Sequence, residues 1–239
     1  MTNKTILITG ANKGIGFEIA KQLGEKGHFI IVAARNLDLG LAATEKLTGL
    51  GIKCDYVQLD VTHESTVIEA AGIIAAKYNH IDVLVNCAGI LLDMTRKLNE
   101  ISLDEFKQTI DVNLFGVFNV SNAFLPLLKL SAAGQIINLS SDLGSLAQAA
   151  NPESKFDFIS SPAYRAAKAA VNMLTLSYAR ELRDSHIEVN AVSPGWCKTD
   201  LGGPNAPNSA ASGADTVVWL AEQSGYHGSF LSKRQAIEW

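Results

Sequence analysis

The chain has 239 residues, 47% of them hydrophobic and 18% charged, with a mean hydropathy of +0.13, so it holds enough apolar material for a large core. A net charge of −4 with no run of like charges argues against nucleic acid as the main partner, because a polyanion needs clustered Lys and Arg. No stretch approaches the ~20 consecutive apolar residues of a bilayer span. Three scattered cysteines (Cys54, Cys87, Cys197) and five scattered histidines have neither paired nor metal-ligand spacing, so a soluble cytoplasmic protein without a metal or a membrane partner is expected.

In chain order, Thr5 to Thr9 reads as a buried strand that runs into Gly10-Ala11-Asn12-Lys13-Gly14-Ile15-Gly16. Phe17, Ile19, Ala20 and Leu23 then recur at helical spacing. Strand, glycine turn and helix start together form a phosphate site, because the backbone approaches the pyrophosphate closely and the helix presents free N–H groups to it. A second strand, His28 to Ala34, ends at Arg35, where a fold selective for NAD carries an acid for the ribose 2′-hydroxyl. Arg35 and Lys13 instead favour a 2′-phosphate, and hence NADP, over the reading in which both are solvated surface charges.

A helix over 37–50 and a third strand over 53–59 lead to Asp60-Val61. Asp60 either bonds the adenine edge or caps the helix expected over 64–77. A fourth strand, 81–85, enters Asn86-Cys87-Ala88-Gly89, whose small residues let a second loop close over the cofactor. After a mixed connection over 90–101, Ser102 and Glu105 form a capping box that opens a helical region running to about Ser131. Asn113 sits in the middle of that largely apolar helix, so it either bonds water and backbone or plugs a helix distortion.

A fifth strand, 135–139, ends in Ser140-Ser141-Asp142-Leu143-Gly144, and 145–161 read as loop. The helix expected over 162–183 places Tyr164 and Lys168 four apart on one face. A lysine cation beside a tyrosine favours the phenolate, which is otherwise scarce below a pKa of about 10. The strand 187–192, the segment Ser193-Pro194-Gly195-Trp196-Cys197-Lys198-Thr199-Asp200, a helix near 214–222 and a strand near 229–231 complete the pattern. Strands alternate with helices and no linker intervenes, which predicts one domain over 1–239: a Rossmann-type, doubly wound parallel sheet flanked by helices on both faces.

These motifs together resemble the short-chain dehydrogenase/reductase family over essentially the whole chain. The matching pieces are Thr9-Gly10-x-x-x-Gly14-Ile15-Gly16, Asp60-Val61, Asn86-Cys87-Ala88-Gly89, Asn113, Ser140-Ser141, Tyr164-x-x-x-Lys168 and Pro194-Gly195. Asn86-Cys87 departs from the family's more usual double asparagine. Within the family, Asn12-Lys13, Trp196-Cys197-Lys198-Thr199-Asp200 and the ending around Phe230 to Trp239 look similar to the carbonyl reductase branch. An insertion near 151–161 makes the interval from Ser141 to Tyr164 longer than in most of the family.

The resemblance implies an NADPH-dependent reduction of a ketone or aldehyde. Tyr164 is then the general acid and Lys168 the group that lowers its pKa and bonds the nicotinamide ribose. Ser141, rather than Ser140, bonds the substrate oxygen, and Asn113 holds a water that relays protons to Lys168. Pro194, Gly195 and Thr199 meet the nicotinamide carboxamide. The alternatives are a reductase of 3-oxoacyl carrier-protein thioesters and a non-catalytic NADP sensor, which has no need of all four catalytic residues. Segments 90–101, 145–161 and 196–213 are expected to shape the substrate pocket, with Cys197 over the substrate. The family resemblance leaves open a monomer or a homodimer or tetramer through the helices carrying Asn113 and Tyr164.

Overall fold

The computed structural model describes residues 3–239. The β-branched run after Lys4 forms strand β1 (Thr5–Thr9), followed by α1 (Gly14–Glu25), β2 (Phe29–Ala34), α2 (Leu37–Gly49), β3 (Cys54–Gln58), α3 (Glu64–Tyr78) and β4 (Val83–Asn86). Next come α4 (Leu103–Ile110), α5 (Gly116–Leu128), β5 (Gly134–Leu139), α6 (Leu146–Ala150), α7 (Pro162–Glu181) and β6 (Ile187–Ser193). The chain finishes with β7 (Cys197–Lys198), β8 (Asn208–Ser209), α8 (Ala210–Leu220), β9 (Phe230–Ser232) and β10 (Gln235–Ala236).

Eight strands form one sheet in the order β10-β9-β6-β5-β4-β1-β2-β3, and every neighbouring pair is parallel except β10 with β9. Side chains alternate across it. Ile6 and Ile8 of β1 pack on one face with Ile19 and Leu23 of α1 and Val217 of α8. Leu7 faces the other way, into the layer that holds Phe124 of α5 and Tyr178 of α7. Burial on both faces explains why these strands read as continuous apolar runs rather than as alternating ones. The expected Rossmann-type, doubly wound architecture is therefore present. β1 lies between β2 and β4, so the winding reverses there, and the crevice beyond the carboxyl ends of these strands is where open α/β sheets bind ligands.

Four local expectations change. Segment 145–161 is not all loop: Ser145 accepts a bond from the Gln148 amide at 3.1 Å and starts the short helix α6. Helix α8 starts at Ala210 rather than near Ala214, because Ser209 caps it by accepting from the Ser212 amide. The antiparallel β10 lies at the sheet edge, where two-residue pairing carries no periodic signal. The helix expected over 102–131 runs from Leu103 to Leu128 but contains a π turn at Asp111–Phe115, around Asn113. This composite helix is long and apolar enough to cross a bilayer by length and composition, although its apolar run is interrupted. Val117, Val120, Phe124, Leu127 and Leu128 bury one side of it on the sheet, while Phe115 and Phe118 are exposed.

Candidate active site

The glycine loop leaves β1 and turns directly into α1. A Cβ on Gly16 would lie 2.5 Å from the Gly10 carbonyl oxygen, so only glycine allows the helix start to close on the strand end. Lys13, at the N-cap, gives no side-chain cap, and the first turn of α1 holds no acid. Its amides are therefore suited to an anion, and the cradle fits a pyrophosphate. Thr199, in the segment after β6, closes over this loop, its methyl 3.4 Å from where a Gly14 Cβ would stand.

A cleft of about 630 Å³ opens from this loop along the carboxyl ends of the strands. Every candidate catalytic or cofactor-binding residue lines it except Asn86 and Asn113. Arg35 and Asp60 mark one end; Ser141, Tyr164 and Lys168 mark the other. The two cations expected to favour a 2′-phosphate differ. Lys13 Nζ pairs with Asp200 at 2.6 Å across the mouth, whereas Arg35 makes no ion pair among the described residues. Asp60 does not cap α3, whose N-cap is His63; its carboxylate instead accepts from the Thr62 amide and hydroxyl at 3.0 and 2.7 Å. These bonds and the nearby His63 and Arg35 outweigh burial and hold its carboxyl below the usual range.

At the other end, α7 presents Tyr164 and Lys168 on one face, with Lys168 Nζ 5.6 Å from the phenol ring centroid. Lys168 is only 5% exposed and donates to the Leu139 carbonyl at 2.6 Å, at the end of β5. Burial pulls its pKa down to about 8. Burial also pushes the Tyr164 phenol far above the usual tyrosine range, with the Ser141 hydroxyl partly offsetting it and Cys87 and Asp93 adding to it. In the protein alone desolvation dominates both groups and favours the neutral form of each. The phenol is held protonated.

The two serines after β5 have different tasks. Ser140 is buried and donates to Asn172 Oδ1 at 2.5 Å, while Asn172 Nδ2 donates to the Gly144 carbonyl at 3.0 Å, tying the strand end to α7. Ser141 lines the cleft and accepts from the Leu143 amide at 3.2 Å, which opens a tight turn over Asp142–Gly144. A Cβ on Gly144 would meet the Lys168 backbone carbon at 2.7 Å. The glycine therefore lets this turn lie against α7 and brings Ser141 to the phenol. Asp142 also accepts from the Ser193 hydroxyl at 2.9 Å, fastening the turn to β6.

Asn113 is fully buried behind the cleft wall. Its Oδ1 accepts from the Ile90 amide at 3.0 Å and its Nδ2 donates to the Ile90 carbonyl at 2.8 Å, so it bonds backbone and does so from a helix distortion. Asn86 does not reach the cleft. It is buried and donates to Ser121 Oγ and Asn138 Oδ1 at 3.0 and 2.8 Å, a polar link between β4, β5 and α5. Its placement at a strand's carboxyl end suited a cofactor contact, but a strand's alternation turns that side chain into the protein.

Cys197 is among the residues that line the cleft. Its thiol is buried, lies 3.3 Å from the Pro194 carbonyl, and fills the space where a Cβ on Gly213 would come within 2.5 Å. The thiol thus packs under the segment after β6. Asp93 carries no sequence signal in the irregular segment 90–101, yet it is fully buried and accepts from the Ala163 and Tyr164 amides at 2.6 and 3.3 Å.

The short chain dehydrogenase family matches residues 4–210. NADPH carbonyl reductase 1 of Sus scrofa is 31% identical over 276 aligned residues, covering 99% of this chain and 94% of that protein. The 3-oxoacyl-acyl-carrier-protein reductase FabG of Staphylococcus epidermidis is 36% identical over 200, covering 83% and 77%. The structure of NADPH-bound carbonyl reductase from chicken fatty liver superposes with a TM-score of 0.90 at 25% identity, covering 100% of both chains. The chain belongs to the short-chain dehydrogenase/reductase family and resembles its carbonyl reductases.

Proposed function

We propose that the protein is an NADPH-dependent oxidoreductase that reduces the carbonyl of a ketone or aldehyde, reversibly with the alcohol. The observation that carries this reading is the convergence of Ser141, Tyr164 and Lys168, from a strand end and a helix, on one end of a cleft whose other end is a glycine cradle. The loop from Gly10 to Gly16 would hold the pyrophosphate, Asp60 and Val61 the adenine, and Arg35 the 2′-phosphate. Ala88, Gly89, Pro194, Gly195 and Thr199 would surround the nicotinamide half. Bound NADPH supplies the hydride.

The chain's own residues then account for the rest. Burial keeps the Tyr164 phenol protonated until charge develops on the substrate oxygen, to which it gives its proton. Ser141 bonds the same oxygen and stabilises that charge. Lys168, fixed by Leu139, places a cation beside the phenol as the proton leaves. Asn113 holds the Ile90 backbone and so shapes the wall. The three free thiols fit a reducing compartment such as the cytosol.

Ile90, Leu91, Met94, Leu143, Phe156 and Trp196 make the substrate end apolar, which supports a hydrophobic carbonyl. The likeness to FabG supports a second reading, reduction of 3-oxoacyl thioesters. Oxidation of NADPH in the presence of aldehydes, aromatic ketones, quinones and 3-oxoacyl thioesters separates the two. The first reading predicts turnover with apolar ketones or aldehydes and little with thioesters; thioester preference selects the second. Absence of turnover with every carbonyl would remove both.

A further inference from the structure

Helix α7 starts in an unusual way. A helix start leaves backbone N–H groups without intrahelical partners, and a serine at the N-cap ordinarily accepts from the second or third of them. Ser161 occupies the N-cap here, but its backbone is left-handed, at φ 43° and ψ 55°, and it forms no cap. Its hydroxyl is buried and has no partner among the described residues. Pro162 has no N–H to satisfy. The Arg165 amide already bonds the Ser161 carbonyl at 2.9 Å. Two donors therefore need a partner, Ala163 and Tyr164, and both find it in Asp93 Oδ2, a residue 70 positions earlier in the chain.

Asp93 lies four residues after Gly89 and three after Ile90, whose backbone Asn113 clamps at both its amide and its carbonyl. The segment after β4 is thus pinned at two points, by Asn113 from the π turn and by the first turn of α7 through Asp93. Its own neighbours Ile90, Leu91 and Met94 line the substrate end of the cleft. Burying a carboxylate is costly, and Asp93 Oδ1 remains without a partner among the described residues. A neutral serine cap was available one residue before the helix and is turned away.

We propose that Asp93 is a positioning residue for the reaction: it fixes the first turn of α7, and with it the Tyr164 phenol, to the segment that forms the substrate wall. This inference rests on Tyr164 being the proton donor of a carbonyl reductase. The groups that act on that phenol are Ser141 from the turn after β5, Cys87 from the end of β4, Lys168 one turn along α7, and Asp93 itself. Of these, Asp93 brings a negative charge that opposes phenolate, so neutralising it lowers the pH at which the phenol loses its proton.

The test compares Asp93→Ala with Asp93→Asn in the full chain. Asp93→Ala is expected to lower kcat for carbonyl reduction about 10- to 100-fold, the scale of a small misplacement of a reacting group, with the Kd for NADPH within about twofold. Asp93→Asn keeps an acceptor for the two amides, so it should recover most of kcat and move the alkaline fall of the kcat profile to lower pH. An Asp93→Ala kcat within about twofold of the parent, or an Asp93→Asn profile identical to the parent's, overturns the proposal. If the parent reduces no carbonyl, the reading of the reaction fails, and hydrogen exchange at the Ala163 and Tyr164 amides decides the anchoring. Exchange accelerated in Asp93→Ala upholds it, and unchanged exchange refutes it.

Discussion

Arg35 follows the carboxyl end of β2, near Asp60 but with no ion-pair partner among the described residues, while Lys13 is paired with Asp200. That pair is highly exposed on both sides, and such surface pairs contribute about 0–1 kcal/mol. The proposed preference for a 2′-phosphate therefore falls mainly on Arg35. A charge-assisted bond of about 1.5–3 kcal/mol corresponds to roughly a 10- to 100-fold change in binding. Arg35→Asp should raise the KM for NADPH by that factor and leave the KM for NADH within about threefold, because NADH lacks the phosphate. Equal changes for both cofactors would contradict this assignment. Arg35, Tyr164 and Lys168 were legible because each carries its chemistry within a short local pattern. Asp93 was not, since its partners lie 70 residues away and nothing periodic surrounds it.

Between β5 and α7 the controlling element is the tight turn Asp142–Gly144. It is held by Ser193 from β6 and by Asn172 from α7, and it can lie this close only because Gly144 has no Cβ. In Gly144→Ala the new methyl group meets backbone and cannot be accommodated by a side-chain rotation. The turn must move away from α7, taking Ser141 with it. The expected result is a loss of about 100-fold in kcat together with about 1–3 kcal/mol of stability, read from turnover and a denaturation midpoint. Near-parent turnover would show that Ser141 does not depend on this approach. The resemblance singled out Ser141 at this strand end, but not the turn after it, whose reason is the proximity of a helix that starts some twenty residues later. The π turn was legible only as an oddity, a buried asparagine in an apolar helix. Its resolution required the Ile90 backbone from another element.

Across the whole molecule, the sheet order sets what the cleft contains. β1 and β4 are adjacent, so the glycine loop after one and the small-residue segment after the other face each other, and β5 and β6 add the serine turn and the Pro194-Gly195 segment alongside. Continuous apolar runs, each followed by a stretch of helical periodicity, were enough to expect this arrangement, because both faces of each central strand are covered. Short or edge features escaped: α6 depends on one serine cap, and β10 on two paired residues. Asn86 was misplaced because one step of strand alternation decides between cleft and core. The proposed reduction depends most directly on Tyr164 as proton donor. The most direct measurement is the rate of NADPH oxidation with the best carbonyl substrate in Tyr164→Phe, alongside its Kd for NADPH. Loss of a general acid predicts a rate about 100- to 10,000-fold lower with cofactor affinity within about twofold, and a rate within threefold of the parent would contradict it.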